Sequence, residues 1–336
     1  MVDMEHWRLA SAARRRALQV MAALPFHAAV FAQGERRVRR IGYLTLGTID
    51  SSRVTQELLR QSLSKLGLRE GDNLSIDWKF AQGDVVKLPA LAAELVASNV
   101  ELIVAAFSQA IVAAHAATRT IPIVMLGALA PVEMGLVASL SRPGGNLTGT
   151  NYFSPEMTGK ILGILAEVTP APRRVAVLRN PDTPGVERYK PVYDHAAKTL
   201  GLQLVYFDVR TSDQIAPALA AIAASHSQAL YITGDSVINP SIREIAGFAL
   251  RQRMVSIGTA LVHVRDGALM YYGPDFPMMV ERVAVFTRRI LSGAAPADLP
   301  VEDPVKFELV VNQKTARALS LELPRSIILA TDRFIE

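Results

Sequence analysis

From residue 38 onward the hydrophobic positions alternate between two textures. Short runs are apolar throughout or at every second residue, and the longer stretches between them place apolar residues three and four apart. Ile41 to Leu46, Leu102 to Ala106 and Ile121 to Leu126 predict buried strands, and the alternation Leu74, Ile76, Trp78, Phe80 predicts a half-buried one. In Arg53 to Leu66, Val54, Leu58, Leu59, Leu63 and Leu66 share one helical face, and Gly67 ends the helix. Pro89 opens a second helix, with Leu91, Leu95 and Val96 on its apolar face. Ile111 to Thr118 predicts a third. The alternation restarts at Arg174, with strands Val175 to Leu178, Gln203 to Phe207, Ala229 to Ile232 and Val255 to Ile257. Between them lie helices Tyr189 to Leu200, Ile215 to Ala224 and Ile242 to Gln252, and a further helix, Met278 to Leu291, follows.

Strands without polar alternation, each followed by a helix, predict parallel sheets covered on both faces. The pattern occurs twice, with a seam at Gly144-Gly145-Asn146-Leu147-Thr148-Gly149. The expected fold is therefore α/β, with two doubly wound parallel-sheet lobes. The first lobe is expected over residues 38–148 plus about 269–300, and the second over 149–268 plus about 301–336. The segment from Gly267 onward is too short for a third domain, so the chain should cross between the lobes more than once.

Composition narrows the class. Half of the 336 residues are hydrophobic and 20% are charged, enough apolar material for packed cores. Cysteine is absent, which excludes disulfides, thiolate metal sites, a cysteine nucleophile and a lipid-modified N-terminal cysteine. The formal net charge is +5, and the four arginines and two acids of residues 1–32 account for part of that excess. The remaining surplus is too small to read as a nucleic-acid-binding surface. Arg14-Arg15-Arg16, the apolar run Ala17 to Ala32 and small residues at its end have the layout of a secretory signal. Cleavage is expected after Ala32, with Val30 and Ala32 at the −3 and −1 places, giving a signal peptide over 1–32 and a periplasmic mature chain that is not a lipoprotein.

In open parallel sheets, ligands bind beyond the carboxyl ends of the strands, where helix N-termini present free N–H groups. That rule selects the loops Thr45 to Ser52, Phe107 to Gln109, Gly127 to Val132, Asn180 to Gly185 and Thr233 to Asn239. Within them, Thr45, Ser108, Gln109, Gly127, Asn180, Asp182 and Asp235 are candidate ligand contacts, together with Tyr152 just past the seam. Ser108 beside free N–H groups suits a ligand carboxylate, and it equally suits a plain helix cap. Asp235 suits a ligand ammonium or a turn. Asn180 and Asp182 are natural turn formers. Tyr152 and Phe153 suit an aromatic ligand or ordinary hinge packing. No phosphate loop, nucleophile elbow, paired carboxylates or metal-ligand spacing of histidines stands out, so no catalytic residue, metal or cofactor is expected.

A family resemblance is carried by Arg40-Ile41-Gly42-Tyr43-Leu44, by Leu88 to Val96, by Ala117 to Val124, by Gly135 to Gly149 with its Ser141-Arg142-Pro143-Gly144-Gly145 core, by Tyr272-Gly273-Pro274 and by Lys306 to Ala316. In order and spacing these segments resemble the extracytoplasmic solute-binding proteins of ABC transporters of the tryptophan/tyrosine type, with a type 1 periplasmic-binding fold. The resemblance implies a multi-strand hinge and capture of a small solute, an amino acid (possibly aromatic) or related carboxylate. It also implies delivery of that solute to membrane permease and ATPase subunits by a monomer that is not an enzyme and binds no nucleic acid. Ser320 replaces the usual helix-ending Gly, a change of local stability only, and two further departures touch the cleft. Phe107-Ser108-Gln109-Ala110 occupies the place of a Gly-Thr-Pro-like turn, and Ala130 stands where the family usually has the aspartate of Asp-Pro-Val. A ligand-sensing regulatory module of the same fold, or an enzyme on a doubly wound scaffold, are the alternatives.

Overall fold

A computed structural model describes residues 38–169 and 173–336. The expected signal peptide lies outside the described residues.

The first sheet is wholly parallel, in the order β2-β1-β3-β4-β5. Its strands are β1 (Arg39–Thr45), β2 (Leu74–Phe80), β3 (Leu102–Ala106), β4 (Ile123–Ala128) and β5 (Leu147–Asn151). Side chains alternate between its two faces, and each face has its own helices. On one, Ile41, Tyr43, Leu102, Val104 and Val124 pack against Leu59 and Leu63 of α1 (Arg53–Lys65). On the other, Leu44, Ile103, Ala105 and Met125 pack against α2 (Leu88–Ala97) and α3 (Phe107–Ala117). Every residue of β3 is therefore buried, which is why its sequence shows no polar alternation.

The second sheet has seven strands in the order β12-β11-β10-β9-β8-β6-β7. These are β6 (Arg174–Arg179), β7 (Gln203–Asp208), β8 (Ala229–Ile232), β9 (Val255–Gly258), β10 (Met270–Pro274), β11 (Phe307–Asn312) and β12 (Arg333–Ile335). β11 runs antiparallel to β10, and the other pairs are parallel. Helices α4 (Pro155–Val168) and α5 (Val186–Thr199) cover one face, and α6 (Ile215–Ala224) and α7 (Ile242–Arg251) cover the other. The short α8 (Leu261–Arg265) precedes β10.

The strand assignments move the lobe boundaries from those expected. The seam does not end the first lobe, because β5 beyond it completes the first sheet. Its hydroxyls are satisfied internally, with Thr148 Oγ1 donating to the Leu299 carbonyl at 2.7 Å. Gly149, at φ +133°, lies against the Met125 backbone so closely that a Cβ would collide with it. β10 likewise belongs to the second sheet, not to a return segment beginning near 269. The return is made by α9 (Phe276–Leu291), which is capped by Asp275 accepting from Met278 N. Met279, Val280, Val283 and Phe286 of α9 join the first-lobe core.

The chain crosses between the sheets after β5, at Asp275, and again over 301–306. Glu302 ties the first and third crossings, donating its N–H to Gly149 O and accepting from Asn151 N, both at 2.9 Å. Arg282 clasps Glu302 with two hydrogen bonds of 2.7 and 2.6 Å, and Lys306 pairs with Asp275 at 2.8 Å. The three crossings are thus short and bonded to one another.

Candidate functional site

The carboxyl ends of both sheets face one another, and the cleft between them is closed where Gln109 reaches Thr183 and Asp235. On the first-lobe side β3 passes into α3 without a loop. Ala106 holds extended backbone and Phe107 takes a left-handed φ of +65°. The helix has no side-chain cap, so the expectation of Ser108 as a cap is not met. Ser108 is buried instead, and its Oγ accepts from Leu129 N at 3.1 Å, fixing the loop after β4. The N–H groups of the first turn of α3 have no partner within the helix and point along its axis toward the cleft.

Phe107 is 40% exposed despite its size. Its ring stacks on Phe276 at 6.3 Å and meets Tyr152 edge-on at 6.1 Å. Gly127, at φ +78°, lies beneath these rings, and a Cβ there would sit 3.3 Å from Tyr152 and 3.4 Å from Phe107. Tyr152 donates its phenol to the Thr259 carbonyl in the second lobe, and burial pushes its acid dissociation upward so that it stays a donor.

The second-lobe side is polar and centres on Asp235, which is only 7% exposed. Its Oδ1 accepts from Asn180 Nδ2 at 3.1 Å and from Val237 N at 2.7 Å. Its Oδ2 accepts from Thr183 Oγ1 at 2.6 Å and, from across the cleft, from Gln109 Nε2 at 3.3 Å. All four donors are neutral, and Asp235 makes no salt bridge among the described residues. Hydrogen bonds alone satisfy this carboxylate, and no cation balances its charge among the described residues.

Behind Asp235, its N–H donates to Asn239 Oδ1, which also accepts from His263 Nε2 at 2.8 Å. His263 is fully buried, and burial alone lowers its pKa to about 3. The ring is therefore neutral, with the proton on Nε2 when Asn239 Oδ1 is the acceptor. Its Nδ1 has no partner, and a Cβ on Gly258 would strike the ring.

Of the residues singled out in the sequence, Gln109, Asn180 and Asp235 form one cluster. Tyr152 and Gly127 join the aromatic floor, and Ser108 braces it from behind. Thr45 is buried at the end of β1, where its Oγ1 accepts from Gly47 N in its own turn. Asp182 turns to solvent and pairs with Arg210 at 3.3 Å, so the structure does not bring it into the cluster. Sequence reasoning missed Thr183, Phe276 and Gly185. Thr183 was hidden in a run rich in turn formers, and Phe276 follows the cap of a helix that belongs to the other lobe. Gly185 holds φ +90° and packs on the opposite lobe, where a Cβ would lie 2.6 Å from Leu129 O. Among the described residues there is no cluster of acids and histidines able to hold a metal, and no helix long and apolar enough to cross a membrane.

Comparisons with known proteins agree with this architecture. The family model for ABC transporter substrate binding proteins matches residues 48–335. A tyrosine-binding protein of Clostridioides difficile (strain R20291) is 28% identical over 264 residues, which is 78% of this chain and 75% of that protein. The crystal structure of a conserved domain protein from Vibrio cholerae superposes with a TM-score of 0.84 at 25% identity, covering 89% of this chain and all of that one. The ABC domain in complex with L-Trp from Streptococcus pneumonia superposes with a TM-score of 0.83 at 23% identity, covering 88% and 99%. The fold is that of the type 1 periplasmic-binding proteins.

Proposed function

The chain belongs to the ABC transporter substrate-binding protein family, and on that premise we propose that its solute is an amino acid with an aromatic side chain, bound unmodified in the cleft. One observation carries the reading: Asp235 is a buried carboxylate surrounded only by neutral donors. A solute ammonium supplies the missing positive charge. The solute carboxylate takes the unpartnered N–H groups opening α3, where the helix dipole favours an anion. The ring lies on Phe107 and Tyr152, whose faces and edges favour another aromatic group. The tyrosine-binding relative and the L-Trp complex support the same class of solute.

In this reading the lobes, 38–152 with 276–300 and 153–275 with 301–336, close by hinge motion around a solute that touches both, which shifts the population toward the closed form. The mature protein begins after Ala32, works outside the cytoplasm as a monomer and passes its solute to the permease and ATPase subunits of an importer. It performs no chemistry on the solute.

A thermal-shift screen tests the solute class, using L-tyrosine, L-tryptophan and 3-phenylpropionate as probes. A ligand at 100 times its dissociation constant adds about 2.7 kcal/mol of stability. The expected result is stabilisation by the two amino acids, lost in Asp235→Asn. Equal stabilisation of wild type and Asp235→Asn would remove Asp235 from the site.

A further inference from the structure

We infer that His263 is the positioning residue of the proposed ammonium site: a neutral ring, protonated on Nε2, that fixes the Asn239 carboxamide and through it the segment carrying Asp235. Its consequence for binding rests on Asp235 as the ammonium partner, whereas the tautomer and the positioning stand on geometry alone.

The tautomer follows from which groups can donate. Asn239 Oδ1 faces two nitrogens, the backbone N of Asp235 at 3.3 Å and His263 Nε2 at 2.8 Å. A backbone N–H can only donate, so the atom it meets is the carboxamide oxygen and not the amide nitrogen. That oxygen has no proton to give, so His263 Nε2 supplies the one between them. Nδ1 is then the bare nitrogen, buried and without a partner.

An unpartnered ring nitrogen in a fully buried side chain costs stability. The sequence nevertheless reserves room for it: a Cβ on Gly258, at the end of β9, would collide with Nδ1 and Cγ of the ring. An apolar side chain would serve packing better, so the value of the ring lies in its Nε2 proton.

That proton acts on the carboxylate through the backbone. Asn239 N donates to the Asp235 carbonyl at 2.8 Å, so Asn239 grips both the N–H and the C=O of Asp235. At the other end of the segment, Gly234 N donates to Thr259 Oγ1 at 2.7 Å. Thr259 and His263 belong to the one turn and helix that follow β9, so both ends of the Asp235 segment hang on a single support. Tyr152 reaches the carbonyl of the same Thr259, which ties the aromatic floor to that support as well. A binding group is aimed well only when the residues behind it are themselves locked, and His263 locks Asn239.

Nitrogen-15 NMR of the chain labelled in histidine reads the tautomer directly. The His263 signal, identified by its loss in His263→Gln, should show a proton on Nε2 and a bare Nδ1. A proton on Nδ1 overturns the inference. Amide hydrogen exchange reads the positioning. The N–H groups of Asp235 and Val237 should exchange faster in His263→Leu, which has no donor, and near the wild-type rate in His263→Gln, whose carboxamide can replace it. Equal protection in all three proteins overturns the positioning. Circular dichroism establishes that each variant is folded, and the tautomer is read on wild type in any case.

Calorimetry then reads the consequence, with L-tyrosine and 3-(4-hydroxyphenyl)propionate as probes. His263→Leu should bind L-tyrosine about threefold to tenfold more weakly, the worth of one hydrogen bond. It should bind the des-amino acid as tightly as wild type does, and His263→Gln should recover most of the loss. Equal weakening of both probes would make His263 a packing residue and overturns its role at the ammonium site. If L-tyrosine does not bind even wild type, the proposed solute falls, and the tautomer and exchange rates still decide the positioning.

Discussion

The first-lobe wall of the cleft is apolar and held by unusual backbone, whereas the second-lobe wall is polar and held by hydrogen bonds. Phe107, Gly127 and Ala130 all take positive φ, at +65°, +78° and +46°. For Phe107 and Ala130 the left-handed region is sparsely populated, so the surrounding fold maintains it at some cost. Across the cleft, Asn180, Thr183, Asp235, Asn239 and His263 form a continuous bonded chain in ordinary backbone. The contrast assigns the walls different tasks: the strained wall presents a ring surface and free helix N–H groups, and the bonded wall fixes a charge. In the proposed reading, the charge of Asp235 is what tells a solute ammonium from a neutral group.

The largest expected effect comes from breaking the polar wall. Asp235→Ala removes the charge and leaves Asn180 and Thr183 without their acceptor. Calorimetry should show amino-acid binding weakened by about 2–5 kcal/mol, the cost of truncating one partner of a buried charge pair. Retention of near-wild-type affinity would move the ammonium site elsewhere.

Acid probes the same wall through His263. Its folded pKa, about 3, lies below the usual 6.5 because burial penalises the charged ring. Below pH 6.5 the unfolded chain takes up a proton that the folded chain refuses. The stability His263 confers is complete above that pH and is lost as pH falls toward 3. At pH 5 the loss is about 2 kcal/mol, from a slope of about 1.4 kcal/mol per pH unit. Denaturation in urea between pH 7 and 5 should show this fall, reduced in His263→Gln. An equal fall in the variant would assign it to other groups.

The aromatic wall should yield smaller numbers. Phe107→Ala removes two ring contacts and should weaken binding of aromatic amino acids by about 0.5–1.5 kcal/mol, with little effect on aliphatic ones. A uniform loss would make Phe107 a structural residue only. Smallest of all is Arg282→Ala at the hinge. Its ion pair with Glu302 is 41% and 35% exposed, so the melting change should correspond to no more than about 1 kcal/mol. A larger loss would show that this clasp, rather than the backbone pairing of the crossings, holds the hinge.

Much of this was legible in the sequence, for reasons that also explain what was not. β3 and β8 are apolar at every position because helices cover both faces of their sheets, so period and composition agree. Asp235 could be picked out because it follows a buried strand by three residues, at the sheet end where ligands sit. The start of β5 read as part of the Gly144–Gly149 seam because a glycine pair fits a hinge or turn; the structure makes it a buried strand whose threonine hydroxyls pair with carbonyls. Gln109 was visible as a residue type at the right helix end, yet its reach to Thr183 and Asp235 depends on lobe closure, which no local pattern encodes. The strain at Phe107 is equally silent, since an aromatic residue before a helix ordinarily predicts nothing about φ.

The most direct test of the account is a double-mutant-style cycle measured by calorimetry: wild type and Asp235→Asn, each titrated with L-tyrosine and with 3-(4-hydroxyphenyl)propionate. A solute ammonium seated on Asp235 predicts that wild type prefers the amino acid and that Asp235→Asn loses the preference, a coupling of about 2 kcal/mol or more. An unchanged preference in Asp235→Asn, with no coupling between the two groups, would contradict it.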